Sequence, residues 1–190
     1  MKTEELLNLM RETRSHRSFY RVEISRDELE LMVEGARMGA TTKNSQELRF
    51  AIINEKSLRE KIFPHTKWAG MLSWNPVSEE SPTAYILICS KKEISVSEMF
   101  LGMDIGIGAE NISLIAKSMG YGSCMIGAYN KKEIEKIAGI GKEYRSHLLI
   151  GLGKPRDNVT IVDSKDGDTR YYRDGDSHFV PKISLKGIIL

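Results

Sequence analysis

Residues 97–127, SEMFLGMDIGIGAENISLIAKSMGYGSCMIG, decide the fold. From Ser97 to Met119 the apolar residues Phe100, Leu101, Met103, Ile105, Ile107, Ile112, Leu114, Ile115 and Met119 cover much of the circumference of a helix. A helix of that kind is buried on most sides. Glycine in mid-helix costs about 1 kcal/mol against alanine, so Gly102, Gly106 and Gly108 point to the close approach of another backbone. In a chain of 190 residues, a second subunit is expected to complete the burial. Gly120 and Gly122 close the helix, and Ser123–Ala128 reads as a strand.

Upstream, Ala84–Ser90 (AYILICS) is a continuous apolar run of strand length, as a central strand covered on both faces requires. Pro64 stops a short helix over Ser57–Phe63, and Arg49–Asn54 reads as a strand. Ser25 and Glu28 have capping-box spacing ahead of Leu29, Met32, Val33 and Ala36, which share one helix face. Leu6, Leu7, Leu9 and Met10 make Thr3–Thr13 a short amphipathic helix. Between Pro64 and Pro82 lies an excursion holding both tryptophans, Trp68 and Trp74. Downstream, Asn130 and Glu133 cap a helix ending at Gly139 and Gly141, and His147–Gly153 is a further strand. The chain reads as one domain over 1–190, with a core (1–153) and a C-terminal arm (154–190). The arm has turn signals at Asp166-Gly167 and Asp174-Gly175 but no long helix, so it must lie on this subunit or on a second one.

Composition sets the outer bounds. Lys and Arg number 28 against 26 Asp and Glu, a net charge of +2, with no basic cluster of the size a nucleic-acid groove needs. The 41% hydrophobic and 28% charged shares exclude a disordered, collagen-like or coiled-coil chain. Cys89 and Cys124 each sit in an apolar stretch and read as buried thiols, not a disulfide framework. Charges interrupt the leucines of the first 14 residues, so no signal peptide is expected, and no apolar run approaches the roughly 20 residues of a membrane span. The expectation is a cytoplasmic protein without a membrane or nucleic-acid partner.

Several motifs fail on context. Gly106-Ile-Gly108-Ala-Glu-Asn111 falls inside a helix and lacks the third glycine of a dinucleotide fingerprint. There is no phosphate-binding G-x-x-x-x-G-K-[ST] and no G-x-S-x-G elbow, and His16, His65, His147 and His178 are scattered without metal-ligand spacing. Two polar stretches remain. Thr13-Arg14-Ser15-His16-Arg17-Ser18-Phe19 sets two guanidiniums three residues apart with hydroxyls between, donors suited to a phosphate or a heterocycle edge. Thr41-Thr42-Lys43-Asn44-Ser45-Gln46 is dense in side chains that donate and accept.

Taken in order, these stretches resemble the nitroreductase family of FMN-dependent oxidoreductases. The family's opening R-[RH]-S-x-[RK]-x-F corresponds to Thr13–Phe19, and its A-R-x-x-P-S-x-x-N-x-Q-P-W-x-F to Ala36–Phe50. Its G-x-G-[ST]-C/W-x-I-G strand corresponds to Gly120–Gly127, its L-G-x-P to Leu152–Pro155, and its short-chain ending to Tyr172–Leu185.

The resemblance implies an α+β sandwich with a mostly antiparallel sheet flanked by helices. Two chains would interlock through the long central helix and an exchanged C-terminal arm, with FMN at the homodimer interface. It implies flavin contacts from Arg14, Ser15, Arg17, Asn44, Gln46, the Ile126–Gly127 backbone and Lys182. No side-chain acid–base pair is expected, because the flavin carries the redox chemistry. NADH or NADPH would be the reductant and a nitroaromatic, a quinone or another small electrophile the acceptor. Alternatives that keep the fold are dehalogenation, heterocycle oxidation, flavin breakdown, or FMN binding without turnover. The chain departs from the pattern at Thr13, Ala40, Glu47-Leu48 and Ile183. With two phosphate-side cations missing, Lys154 or Arg156 are the candidate substitutes, and Trp68 and Trp74 are either pocket walls or packing anchors.

Overall fold

The structure, a computed structural model, describes residues 2–68, 70, 72 and 74–190. Its centre is β3 (Ala84–Lys91), antiparallel to β2 (Leu48–Ile53) on one side and to β5 (Tyr144–Pro155) on the other. The far edge of β5 carries β4 (Gly122–Ile126) and then β1 (Phe19–Tyr20), also antiparallel. Side chains alternate across a strand, so Tyr85, Leu87 and Cys89 enter one core while Ala84, Ile86 and Ile88 enter another. Both faces of β3 are covered, which is why its sequence is apolar without alternation.

The Ile86 face is covered by α2 (Arg26–Arg37) and α4 (Glu98–Ser118). The Ser25 hydroxyl accepts from the Glu28 amide, and the Glu28 carboxylate accepts from the Ser25 amide at 2.9 Å, closing the capping box. Leu29, Met32 and Ala36 turn inward. The Leu87 face is covered by α3 (Lys56–Ile62), α5 (Lys131–Ile137) and Trp68. α1 (Thr3–Glu12) packs along α4 and buries no side chain fully. Pro64 turns the end of α3 into a single 3-10 turn, and the Asn130 side chain caps α5 as its spacing implies.

In the single chain α4 is buried on one face, not on most sides. Leu101, Ala109, Ile112 and Ala116 point inward, while Met99, Phe100, Met103 and Ile107 stay exposed. The close helix approach is made by α2. A Cβ on Gly35 would lie 2.7 Å from Ile115, and one on Gly39 2.9 Å from Asn111. Gly108 meets Leu48, but Gly102 and Gly106 face open space. Contrary to the sequence expectation, α4 is long and apolar enough to cross a membrane by length and composition alone. Its inward face nevertheless packs on the sheet and carries the buried Asp104.

The arm forms a second, three-stranded sheet. β6 (Asn158–Asp163) pairs parallel with β8 (Ser177–Lys182), and β7 (Tyr172–Asp174) makes a hairpin with β8 through Gly175. This sheet touches its own subunit where Arg17 lies over Tyr171 and Arg173 over Trp74, at 5.1 and 4.0 Å from the ring centroids. Beyond it Ile183, Leu185, Ile188, Ile189 and Leu190 are exposed. Part of the tryptophan-bearing excursion (69, 71 and 73) lies outside the described residues. Trp68 is a buried anchor whose indole N–H donates to Thr66, and Trp74 is the shelf under Arg173.

Candidate functional site

The arginine turn leaves α1 along the end of β4. Thr13 is buried, and its hydroxyl donates to the Leu9 carbonyl at 2.7 Å, so no cation reaches outward from this position. Arg14 donates from Nη2 to the Met10 carbonyl at 2.7 Å, placing positive charge at the helix C-terminus where the helix dipole favours it. Its buried Nε has no partner among the described residues. Ser15 is exposed and bridges in parallel to Ser123 of β4, and the His16 amide donates to the Ser123 carbonyl at 2.9 Å. Arg17 is half-buried, with Nη1 3.4 Å from the Ser15 carbonyl.

One residue that sequence reasoning passed over holds this turn, and a buried histidine lies within reach of its charges. Asp157, whose side chain is fully buried, accepts from His16 Nδ1 at 2.9 Å and from the Arg17 amide at 3.1 Å. The fully buried His178 of β8 feels the charges of Arg17, Asp157, Arg173 and His16. Burial, reinforced by Arg17, holds its imidazole below the usual histidine range. Among the described residues neither of its ring nitrogens has a hydrogen-bond partner.

β4 brings Ile126 and Gly127 to the same sheet edge, three and four residues beyond the Ser123 bridge. Ile126 is buried, and among the described residues a Cβ on Gly127 would meet nothing within 4 Å, so its backbone is open. Past Gly127 opens a cleft of about 510 Å³, lined by Pro64, His65, Thr66, Lys67, Ala128, Tyr129 and Asn130. Cys124 and Cys89 take no part as nucleophiles, since burial pushes their thiols up to about 11 and about 12. Among the described residues no group of three or more His, Cys, Asp or Glu could hold a metal ion.

Asn44 and Gln46 lie elsewhere, on a loop fastened to α4. The Asp104 carboxylate accepts from the Thr42 amide at 2.9 Å and from its hydroxyl at 3.0 Å. Asn44 and Gln46 are exposed, and the loop borders a cleft of about 310 Å³ between α2 and β2 that includes Arg37, Gln46 and Arg49. Glu47, standing where the family pattern has proline, binds the Ser95 amide and hydroxyl, and this contact keeps its carboxyl below the usual range. Lys182 ends β8, exposed and opposite Asp163. The structure thus brings Arg14, Ser15, Arg17, Ile126 and Gly127 to one edge, while Asn44, Gln46 and Lys182 stand on other elements. Lys154 and Arg156 are both engaged, by the Gly120 carbonyl at 3.1 Å and by Glu80 at 2.8 Å.

The fold and this edge define an α+β sandwich whose polar turn flanks an open strand end. The family model described as Nitroreductase family matches residues 10–154, and the chain belongs to that family. A protein of Archaeoglobus fulgidus named "Putative NADH dehydrogenase/NAD(P)H nitroreductase" is 23% identical over 168 residues, covering 86% of this chain and 92% of its own. Among solved structures, the nitroreductase family protein of Streptococcus pneumoniae TIGR4 shares 16% identity at TM-score 0.72, covering 97% of this chain and 98% of its own. An FMN-dependent nitroreductase of Clostridium difficile R20291 shares 20% at TM-score 0.67, with 81% and 90% covered. At these identities the structures establish the shared fold.

Proposed function

We propose that the protein is an FMN-dependent oxidoreductase that uses NADH or NADPH to reduce a small electrophilic acceptor such as a nitroaromatic or a quinone. The observation that carries this is the arginine turn fastened to β4 beside the open Gly127 backbone, in a chain of the nitroreductase family. FMN dependence is stated for the Clostridium difficile relative, and a pyridine-nucleotide reductant for the Archaeoglobus one.

The residues present fit FMN. Arg14 and Arg17 offer planar donor forks suited to a phosphate or to the pyrimidine edge of the ring, and the unpartnered Arg14 Nε is a donor awaiting an acceptor. When bound, FMN would take up a hydride and hand its electrons to the acceptor. Around it, the open Gly127 backbone admits a flat ring, and a guanidinium near the pyrimidine edge favours extra negative charge there. The cleft beyond Gly127 gives a small acceptor room. Asn44, Gln46 and Lys182 complete the pocket if two copies assemble as a homodimer. Three surfaces support that assembly: the exposed Met99, Phe100, Met103 and Ile107 stripe on α4, the outer edge of β2, and the apolar tail after Lys182. The arm would then reach across with this tail while its sheet stays on its own subunit. A cytoplasmic setting accords with the two free, buried thiols.

Purified protein should be yellow or bind added FMN, NADH or NADPH should bleach the bound flavin anaerobically, and Arg17→Ala should weaken binding. A colourless protein that binds no FMN would end this reading. A bound flavin that neither nucleotide reduces would favour the alternative of a specialised or non-catalytic flavoprotein. The buried Thr13 and the Arg156–Glu80 ion pair support that alternative, because they leave fewer cations for the phosphate.

A further inference from the structure

We infer that Asp157, acting with His16, is a positioning residue that fixes the Arg17 guanidinium for the flavin; this rests on the FMN reading above. The two residues are 141 positions apart in the chain and meet through the sheet. β1 pairs with the last residues of β5 (Phe19 with Pro155, Tyr20 with Lys154), and the Arg156 amide donates to the Ser18 carbonyl at 2.9 Å. The turn and Asp157 therefore ride on one rigid strand end.

Both carboxylate oxygens are used, and on different partners. Oδ1 faces His16 Nδ1 and Oδ2 accepts the Arg17 amide. A carboxylate only accepts, so Nδ1 is the ring nitrogen that carries hydrogen. The imidazole is walled in, since a Cβ on Gly122 would lie 2.8 Å from His16 Cδ2. Asp157 thus grips the backbone of Arg17 from one side while the buried ring beside it blocks rotation of the turn.

The charge arrangement carries the argument further. A buried carboxylate next to an arginine is expected to pair with the guanidinium, the strongest partner available. Here it takes the amide instead, and among the described residues the Arg17 guanidinium makes no ion pair; it rests on the Tyr171 ring and near the Ser15 carbonyl. The backbone that carries the cation is therefore held in place while its charge stays out of any ion pair, which suits an anionic ligand. Preorganisation of this kind lowers the rotamer freedom lost on binding.

The test is a double-mutant cycle on FMN affinity, read by quenching of free-flavin fluorescence on Arg17→Ala, Asp157→Ala and the pair. Asp157→Ala should weaken FMN binding by about tenfold or more, yet have less than about a twofold effect when Arg17 is already alanine. Amide hydrogen exchange in the flavin-free protein gives a second readout: the Arg17 amide should exchange faster in Asp157→Ala while β3 amides stay protected. Because Asp157→Ala removes a buried group, His16→Asn and His16→Ala form a milder pair. Asn can still donate to Asp157 and should keep most of the affinity that His16→Ala loses. Additive effects in the cycle, or equal losses in the two His16 variants, would overturn this inference and leave FMN binding standing. Failure of the unaltered protein to bind FMN would overturn the flavin reading and this inference with it.

Discussion

The two polar stretches that flank α2 are held in opposite ways. The turn at Arg14–Arg17 is strapped to the sheet by the Ser15–Ser123 bridge and by the buried Asp157, and its backbone has no residue in the left-handed region. The loop at Thr41–Gln46 hangs from α4 by one carboxylate, and Lys43, Asn44 and Gln46 all have φ near +50°. That region disfavours side chains other than those of glycine and, to a lesser degree, asparagine. The turn's geometry is thus settled by its own core, whereas the loop keeps strained backbone and exposed amides. A shape fixed from within can be read from one chain. A shape that its own chain leaves strained and exposed is harder to read.

Four outcomes would break or sharpen that contrast. The largest is Asp157→Ala, which should destabilise the fold by about 3 kcal/mol in urea, because it leaves His16 and the Arg17 amide without their buried partner. A loss near the surface-substitution range of about 0.5 kcal/mol would mean that the turn is no better held than the loop. Next, Thr42→Val removes one of the loop's two hydrogen bonds to Asp104 and should cost about 1 kcal/mol, measured by the same denaturation. Smaller still, Lys43→Gly relieves a positive φ and should be neutral or stabilising by up to about 1 kcal/mol, visible as a small rise in Tm.

The last effect is absent at neutral pH and grows only with acid. Burial and Arg17 hold the His178 imidazole below its ordinary value of 6.5, so on acidification the unfolded chain takes up this proton before the folded one does. Stability should therefore fall as pH drops from about 6.5 toward 5, above the range where the carboxylates titrate. Half-buried His147 adds a contribution of the same sign. His178→Phe should flatten the slope. An unchanged slope would show that the arm's sheet is not braced against the turn at this residue.

Much of the fold was legible because its signals are local. The Ser25–Glu28 box, the stop at Pro64, the unbroken apolar run of β3 and the length of α4 each lie within a few turns of chain. Strand limits were less so: β5 starts at Tyr144, three residues before its apolar stretch, and β4 ends at Ile126, because ladder pairing continues or stops without a composition signal. The partner of His16 was illegible, since Asp157 looks like any loop acid until β1 and β5 pair. Arg14's cap on its own helix and the engagement of Lys154 and Arg156 were equally hidden, being side-chain reaches that no periodicity encodes. The glycines of α4 suggested a close neighbour, yet of the three only Gly108 has one; the tighter contacts come from Gly35 of α2 and Gly39 just past its end.

Gly122 and Gly153 face each other directly across the β4–β5 ladder. A methyl on the first would strike the His16 ring, and one on the second would strike Phe19, each at 2.8 Å. The missing side chains make a keyway at the sheet edge into which the N-terminal segment is inlaid. Its consequence is mechanical: an alanine at either position would lift the inlay and carry Arg17 with it, so this cation shifts whenever the strands beneath it do.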